Sequence, residues 1–404
     1  MAPSPPPPIR VLRSHAEQIN SVSLSSLDPE GKANERLYTG DADGLVVITS
    51  TRTFRALASW KAHDKGLLGV QEWEDSVITH GRDNKLHVWE RVVAPISVAD
   101  MAGPELSTTG PPLRYSLDVN ALNFCRFSLL PETRDGGESY ALVAVPNLVD
   151  SALVDIWRIP EKQRLHAAIG TSAGPKIADP WVSGEGPGSV MFLRLFTVPH
   201  PSHSSVSQLR LLTAYENGGL CLWVRTEVEK ETSVEGRGWE ALWQMKVHAD
   251  AIFALDISPS KAFAITASAD NLLIRYDLQD NGESAEGQTT TLVHRTKHPG
   301  NGTLVISPDG RVCAVGGWDG KIRLYSTKSF KPLGSLDYHK GVLQSVAFAH
   351  PDAPSPPPNG DDDDDELGPE EKEKRSRWLV SAGVDKRVAI WELMDFTSGG
   401  GTKK

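Results

Sequence analysis

One phrase recurs along the chain, and it is most complete at Thr79-His80-Gly81-Arg82-Asp83-Asn84-Lys85-Leu86-His87-Val88-Trp89. A hydroxyl residue is followed by small residues, an Asp in a tight turn, and alternating apolar residues up to an aromatic. Asp83 precedes Trp89 by six positions, and the same offset links Asn217 to Trp223, Asp270 to Tyr276, Asp319 to Tyr325 and Asp385 to Trp391. Two further copies are degenerate: Asp43 leads to Thr49 instead of an aromatic, and Trp157 has Ser151 at the turn position, with Asp150 one place early. Four residues before the turn stand Thr39, Thr79, Thr213, Thr266 and Ser381, with Val315 breaking the rule.

Seven copies of a short strand-turn-strand unit specify a repeat architecture, since one such unit cannot bury its apolar face alone. The predicted fold is all-β, a seven-bladed WD-repeat β-propeller. Blades of roughly 40–45 residues account for about 300 positions, and 404 residues leave the remainder for loops. Ile9-Arg10-Val11-Leu12 alternates well before the first repeat, and it is expected to close the ring by pairing with Arg387–Trp391, removing two open sheet edges. The expected organisation is a proline-rich disordered start at 1–8, a propeller over 9–396, a disordered acidic insertion at 351–377 inside the last blade, and a flexible tail at 397–404. The Pro-Ser-Pro-Pro-Pro and Asp361–Asp365 runs hold too little apolar surface to fold.

Histidines at 15, 63, 248, 298 and 339 precede their turn residues, and the third and fourth copies have none in that place. A His, the turn Asp, a Ser or Thr and the aromatic can form one side-chain hydrogen-bond chain, which a buried polar set requires. His63, Thr79, Asp83 and Trp89 form one complete structural set; His339, Ser381, Asp385 and Trp391 form another. Repetition around a ring argues against one converging catalytic or metal centre. No catalytic residue, metal site or cofactor is therefore expected. Gly40-Asp41-Ala42-Asp43-Gly44 lacks the later ligands of a calcium loop and reads as a turn. Gly184-Glu185-Gly186-Pro187-Gly188 precedes a strand and not a helix, so it cannot cradle phosphate.

A net charge of −10 and a pI near 5.7 disfavour direct nucleic-acid binding. Cys125, Cys221 and Cys313 stand singly in apolar runs and read as buried reduced thiols of an intracellular, soluble protein. No apolar run reaches the roughly 18 residues of a membrane span. Residues just before the turn aspartates project onto the rim. Arg82 and Trp318 hold that position and belong to types enriched at interface hot spots, which makes them the candidate partner-binding residues. The acidic run at 361–366 suits a basic partner or a solvated loop. Lys372–Arg377 is a short basic cluster of the kind used for nuclear import, and Ser4 and Ser355 lie in Ser-Pro pairs.

Three stretches resemble one family. Arg36–Gly44, Trp60–Asp64 with Lys65–Val70, and His80–Leu86 followed by Trp89 are similar to the fungal ASTRA-associated protein 1 family, as is the ending Ser381–Trp391. Its animal relatives are G-protein beta-subunit-like proteins. The resemblance implies a non-catalytic scaffold subunit of the ASTRA complex, in chromatin remodelling and in co-chaperone-assisted maturation of phosphatidylinositol-3-kinase-related kinases. It implies partners among other ASTRA subunits, those co-chaperones and the kinases, a monomeric propeller within a hetero-complex, and a nuclear location shared with the cytoplasm. The alternative is a substrate receptor of a cullin-type ubiquitin ligase. Such receptors carry an aromatic-acidic-any-Arg phrase after the third strand, and Trp89-Glu90-Arg91-Val92, Trp391-Glu392-Leu393-Met394 and the other copies do not fit it. A true heterotrimeric beta subunit uses a long helix before the first blade, where this chain has eight mostly proline residues.

Overall fold

The computed structural model describes residues 5–25, 35–92, 110–122, 124–134, 136–170, 186–200, 207–227, 229–279, 290–350 and 369–396. Among them, seven four-stranded antiparallel sheets form, each a blade, and the fold class is a seven-bladed β-propeller. The acidic run at 361–366, Ser4, Ser355 and the 397–404 tail lie outside the described residues.

Two compact units divide the chain, one of Met1–Thr79, His87–Tyr115 and Thr303–Lys404, the other of His80–Leu86 and Ser116–Gly302. In the first unit, blade 1 consists of β2 (Ile19–Leu24), β3 (Arg36–Asp41), β4 (Leu45–Ser50) and β5 (Ala56–Lys61) in sequence order. Blade 7 is built from β26 (Leu343–Phe348), β27 (Trp378–Gly383) and β28 (Val388–Glu392), with β1 (Arg10–Leu12) as its outer strand. Arg10, Val11 and Leu12 pair antiparallel with Ile390, Ala389 and Val388. The predicted closing strand is thus in the expected place.

The second unit contains blade 3, with β10 (Ser128–Thr133), β11 (Ser139–Pro146), β12 (Val154–Ile159) and β13 (Gln163–Ile169). Blade 4 follows as β14 (Val190–Pro199), β15 (Ser207–Tyr215), β16 (Gly219–Arg225) and β17 (Trp239–Lys246). Blade 5 comprises β18 (Ile252–Ile257), β19 (Phe263–Ser268), β20 (Leu272–Asp277) and β21 (Thr291–Arg295). Blade 2 has β6 (Leu67–Trp73), β7 (Ser76–Gly81), β8 (Lys85–Glu90) and β9 (Leu113–Asp118), and blade 6 has β22 (Asn301–Ile306), β23 (Val312–Gly317), β24 (Lys321–Ser326) and β25 (Pro332–Asp337).

The second strand of a blade is covered on both faces, so its apolar residues do not alternate with exposed polar ones and its Ser, Thr and His side chains are buried beside them. All six residues of β7, β19, β23 and β27 are buried. Neighbouring sheets in the first unit share a core of Ile19, Val22, Leu37, Val380, Val388 and Ile390. In the second unit Leu212, Leu222, Trp243, Leu255 and Ile274 do the same between blades 4 and 5. A polar link crosses these apolar seams. Inner-strand serines accept an amide of the next blade: Ser345 from Val22 (3.2 Å), Ser21 from Val70 (3.3 Å) and Ser128 from Leu195 (3.0 Å). Bulges at Ile19/Ser21 and Leu343/Ser345 accompany two of those serines, as expected where a strand must re-aim a side chain.

The span 351–377, expected to be disordered, is corrected at its end by α1 (Pro369–Ser376). Glu370 and Glu371 in its first turn and Lys374 and Arg375 in its last complement the helix dipole. Tertiary contacts then hold it. Arg375 donates to Glu371 (3.1 Å) and Thr51 (3.3 Å), and its guanidinium lies 5.2 Å from the Trp378 ring centre. Arg377 pairs with Glu392 at 3.2 Å. Two cations of the supposed import cluster are therefore structural.

Candidate functional site

Polar side chains at or beside the hairpin between the second and third strands form hydrogen-bond sets in several blades. In blade 7 His339 Nδ1 meets both oxygens of Asp385 (3.0 and 3.1 Å), and His339 Nε2 meets Ser381 Oγ at 2.8 Å. Trp391 Nε1 donates to the same hydroxyl at 2.9 Å. In blade 5 His248 bridges Asp270 (2.9 Å) and Thr266 (2.8 Å) in the same way. Burial pushes the Asp270 carboxyl up, but hydrogen bonds from His248 and from the Leu272 and Ala249 amides outweigh it and leave it below the usual range.

Blade 1 departs from the expected register. His15 bonds Thr39 (2.7 Å) and Asp41 (2.8 Å), so Asp41 takes the role expected of Asp43. Asp41 Oδ1 also accepts the amides of Asp43 and Leu45, each at 3.0 Å, which closes the turn on itself. Gly44 must remain glycine there. Its φ is +84°, and a Cβ would lie 2.3 Å from the His63 carbonyl oxygen.

In blade 2 His63 Nε2 meets Thr79 Oγ1 at 2.8 Å, and Trp89 Nε1 donates to that hydroxyl at 2.9 Å. Asp83 lies in the turn between β7 and β8. His63, Asp83 and His87 bring potential metal-ligand atoms within 4.8 Å of one another. However, the His63 and His87 rings stack at 4.5 Å with 18° between planes. A ligated metal lies close to the plane of each imidazole, and two nearly parallel stacked rings do not share such a point.

Where a histidine is missing, other residue types replace it. In blade 4 Tyr215 receives the Thr213 hydroxyl at 3.1 Å, and Trp223 Nε1 donates to Thr213 at 3.0 Å. In blade 3 the buried Asn120 donates to the Asn147 carbonyl at 2.5 Å, and Asn147 Nδ2 donates to Asp155 at 2.8 Å. Asn120 follows the end of β9 just as His63, His248 and His339 follow the ends of β5, β17 and β25, but its residue type hides it from a search for histidine; Tyr215 reaches Thr213 from within the same strand, β15. Blade 6 has no such set: His298 is exposed, Val315 is buried where the hydroxyl would be, and Asp319 pairs with Arg323.

The three cysteines are buried and free. Burial pushes the thiols of Cys125 and Cys221 well up and that of Cys313 to about 12, which removes nucleophilic thiolate at neutral pH. Of the two candidate contact residues, Trp318 is 45% exposed on the turn between β23 and β24. Arg82, exposed on the turn between β7 and β8, holds its guanidinium 5.9 Å from the centre of the Phe124 ring. No helix among the described residues is long and apolar enough to cross a membrane.

The family model described as "WD domain, G-beta repeat" matches residues 239–277 and 292–326, which span the outer strand of blade 4 through the third strand of blade 6. ASTRA-associated protein 1 of Penicillium rubens is 28% identical over 96% of this chain and 98% of its own length. The protein of that name from Verticillium alfalfae is 29% identical over 97% of this chain and 94% of its own. This chain carries WD repeats and is similar to ASTRA-associated protein 1 over nearly its whole length. The mouse guanine nucleotide-binding protein subunit beta-like protein 1 is 27% identical over 86% of the chain. The relationship to ASTRA-associated protein 1 thus extends well beyond the four stretches in which the wording is distinctive.

Proposed function

We propose that this chain is a non-catalytic scaffold subunit of an ASTRA complex. In that role it presents its turn-bearing rim to large protein partners in chromatin remodelling and in co-chaperone-assisted maturation of phosphatidylinositol-3-kinase-related kinases. One observation carries the reading: the similarity to ASTRA-associated protein 1 runs through both chains nearly end to end. The chemistry agrees with it. The polar residues of the repeat are spent on holding turns, as in blade 7 where Asp385 and His339 engage each other, and buried thiols are unavailable as nucleophiles. A rigid turn lowers the ordering cost of association, which suits a platform for assembly. We place it in the nucleus and the cytoplasm, where such partners assemble.

Affinity purification of the tagged chain from its native cells, with mass spectrometry of the recovered proteins, tests the reading. Recovery of other ASTRA subunits, kinase-maturation co-chaperones and very large kinases is expected. Recovery of a cullin adaptor would favour a ubiquitin-ligase receptor instead, and absence of any stable partner would end the scaffold assignment.

A further inference from the structure

We propose that the turns at one end of blade 3 form a docking surface for a protein segment carrying large apolar side chains beside a carboxylate. This rests on the scaffold reading above and names the place in the second unit where a partner binds. Four large apolar residues stand exposed there: Leu122 at 61%, Phe124 at 51%, Leu148 at 50% and Val149 at 90%. They come from two segments, the approach to β10 and the turn joining β11 to β12.

Those two segments are fixed by buried amide side chains. Asn120 Nδ2 donates to the Asn147 carbonyl, while its Oδ1 accepts the Leu122 amide at 2.7 Å. Asn147 Oδ1 accepts the amides of Val149 and Asp150, each at 3.0 Å, and its Nδ2 is anchored on Asp155. Leu122 and Val149 therefore stand on backbone whose amides are already held before any partner arrives, which reduces the conformational entropy lost on contact. Blade construction does not require them. The corresponding turns of blades 5 and 7 carry Asp270-Asn271 and Asp385-Lys386-Arg387 and project no comparable apolar pair.

Charge decides the occupant. The Arg82 guanidinium lies 5.9 Å from the centre of the Phe124 ring, and among the described residues it has no carboxylate partner. A guanidinium beside an aromatic ring and without a carboxylate partner favours a planar anion, bound through two parallel hydrogen bonds. Next to Val149 in the chain, the exposed Asp150 accepts the Ala152 amide at 2.9 Å. An acidic group on the incoming segment is attracted at Arg82 and repelled at Asp150, so the segment's direction is set as well as its composition.

The test uses the full-length tagged chain with the photo-crosslinker benzoylphenylalanine in place of Val149, irradiated in its native cells, with the adduct peptides sequenced. The expected adduct is one partner segment with large apolar residues within about a turn's reach of an Asp or Glu. Arg82→Glu should then lower recovery of that partner about tenfold or more, because the reversed charge repels the incoming carboxylate. Lysine at the partner's acidic position should restore recovery, which a merely structural role for Arg82 would not allow. The crosslinker placed at Val234, 59% exposed elsewhere in the same unit, should give no such adduct. Adducts on a second copy of this chain, on a segment without an acidic residue, or none at all while the wild-type chain still recovers partners, would overturn the surface and leave the scaffold reading standing. Undiminished recovery with Arg82→Glu would do the same. If the wild-type chain recovers no partner, both readings fail together.

Discussion

Ser381 shows how one hydroxyl can hold a blade turn. It receives Trp391 Nε1 and faces His339 Nε2, and all three side chains are buried. Ser381→Ala leaves two buried polar atoms without a partner, so a loss of about 1–3 kcal/mol is expected in a urea denaturation of the whole chain. Asp270 makes a pH-dependent contribution. Its folded-state carboxyl is held below the usual value by His248 and two amides against the opposing effect of burial. The stability it supplies is present above the ordinary carboxylate pKa near 4 and is lost as pH falls through the lower folded value. Asp270→Asn should therefore lower the melting temperature at pH 7, with the gap to wild type closing below about pH 4. His166 has the opposite chemistry. Burial, and then the facing Arg225 guanidinium, lower its pKa to about 3, so the folded chain keeps the ring neutral while the unfolded chain takes up a proton near its ordinary value. Stability should fall as pH drops from about 6.5 toward 3, and His166→Gln should flatten that slope.

At the scale of elements, most strands were legible because blade strands alternate or run apolar according to whether one face or two are covered. The closing strand β1 was legible for the same reason, and its three-residue ladder with β28 joins sequence-distant segments. Removing residues 9–13 should lower the melting temperature measured by circular dichroism; an unchanged transition would mean the ladder adds nothing. Two other elements were not legible. The 226–238 segment reads as a polar loop, yet Ser233 forms a parallel bridge with His166 and exchanges backbone bonds with Leu165 and Ala167 on the outer edge of β13. That edge is thereby covered, one of the ways sheets avoid unwanted pairing. Helix α1 was missed because its eight residues carry almost no apolar signal, and its anchor is a buried arginine against Thr51 and Trp378. Arg375→Ala should destabilise the chain through lost packing as well as lost charge, which a thermal melt beside Lys374→Ala as exposed control would reveal.

For the molecule as a whole, repeat spacing determined the number of blades and their all-β class, and the alternation at Ile9–Leu12 pointed to the pairing of the chain's first strand with its last. A repeated unit that cannot bury its own apolar face leaves few other solutions. Relatedness to ASTRA-associated protein 1 was likewise legible, in turn and strand phrases whose wording reflects close backbone packing, such as Gly44 against the His63 carbonyl. The tertiary structure decided what spacing cannot encode. Asp41 and not Asp43 meets His15, Tyr215 and Asn120 stand in for absent histidines, and His298 meets solvent. Each of these depends on which atoms from distant positions reach one buried volume. A fixed offset along the chain records only residue types that recur, so a substitute of another type, such as Asn120 after β9 or Tyr215 within β15, becomes visible only when the sheets are packed.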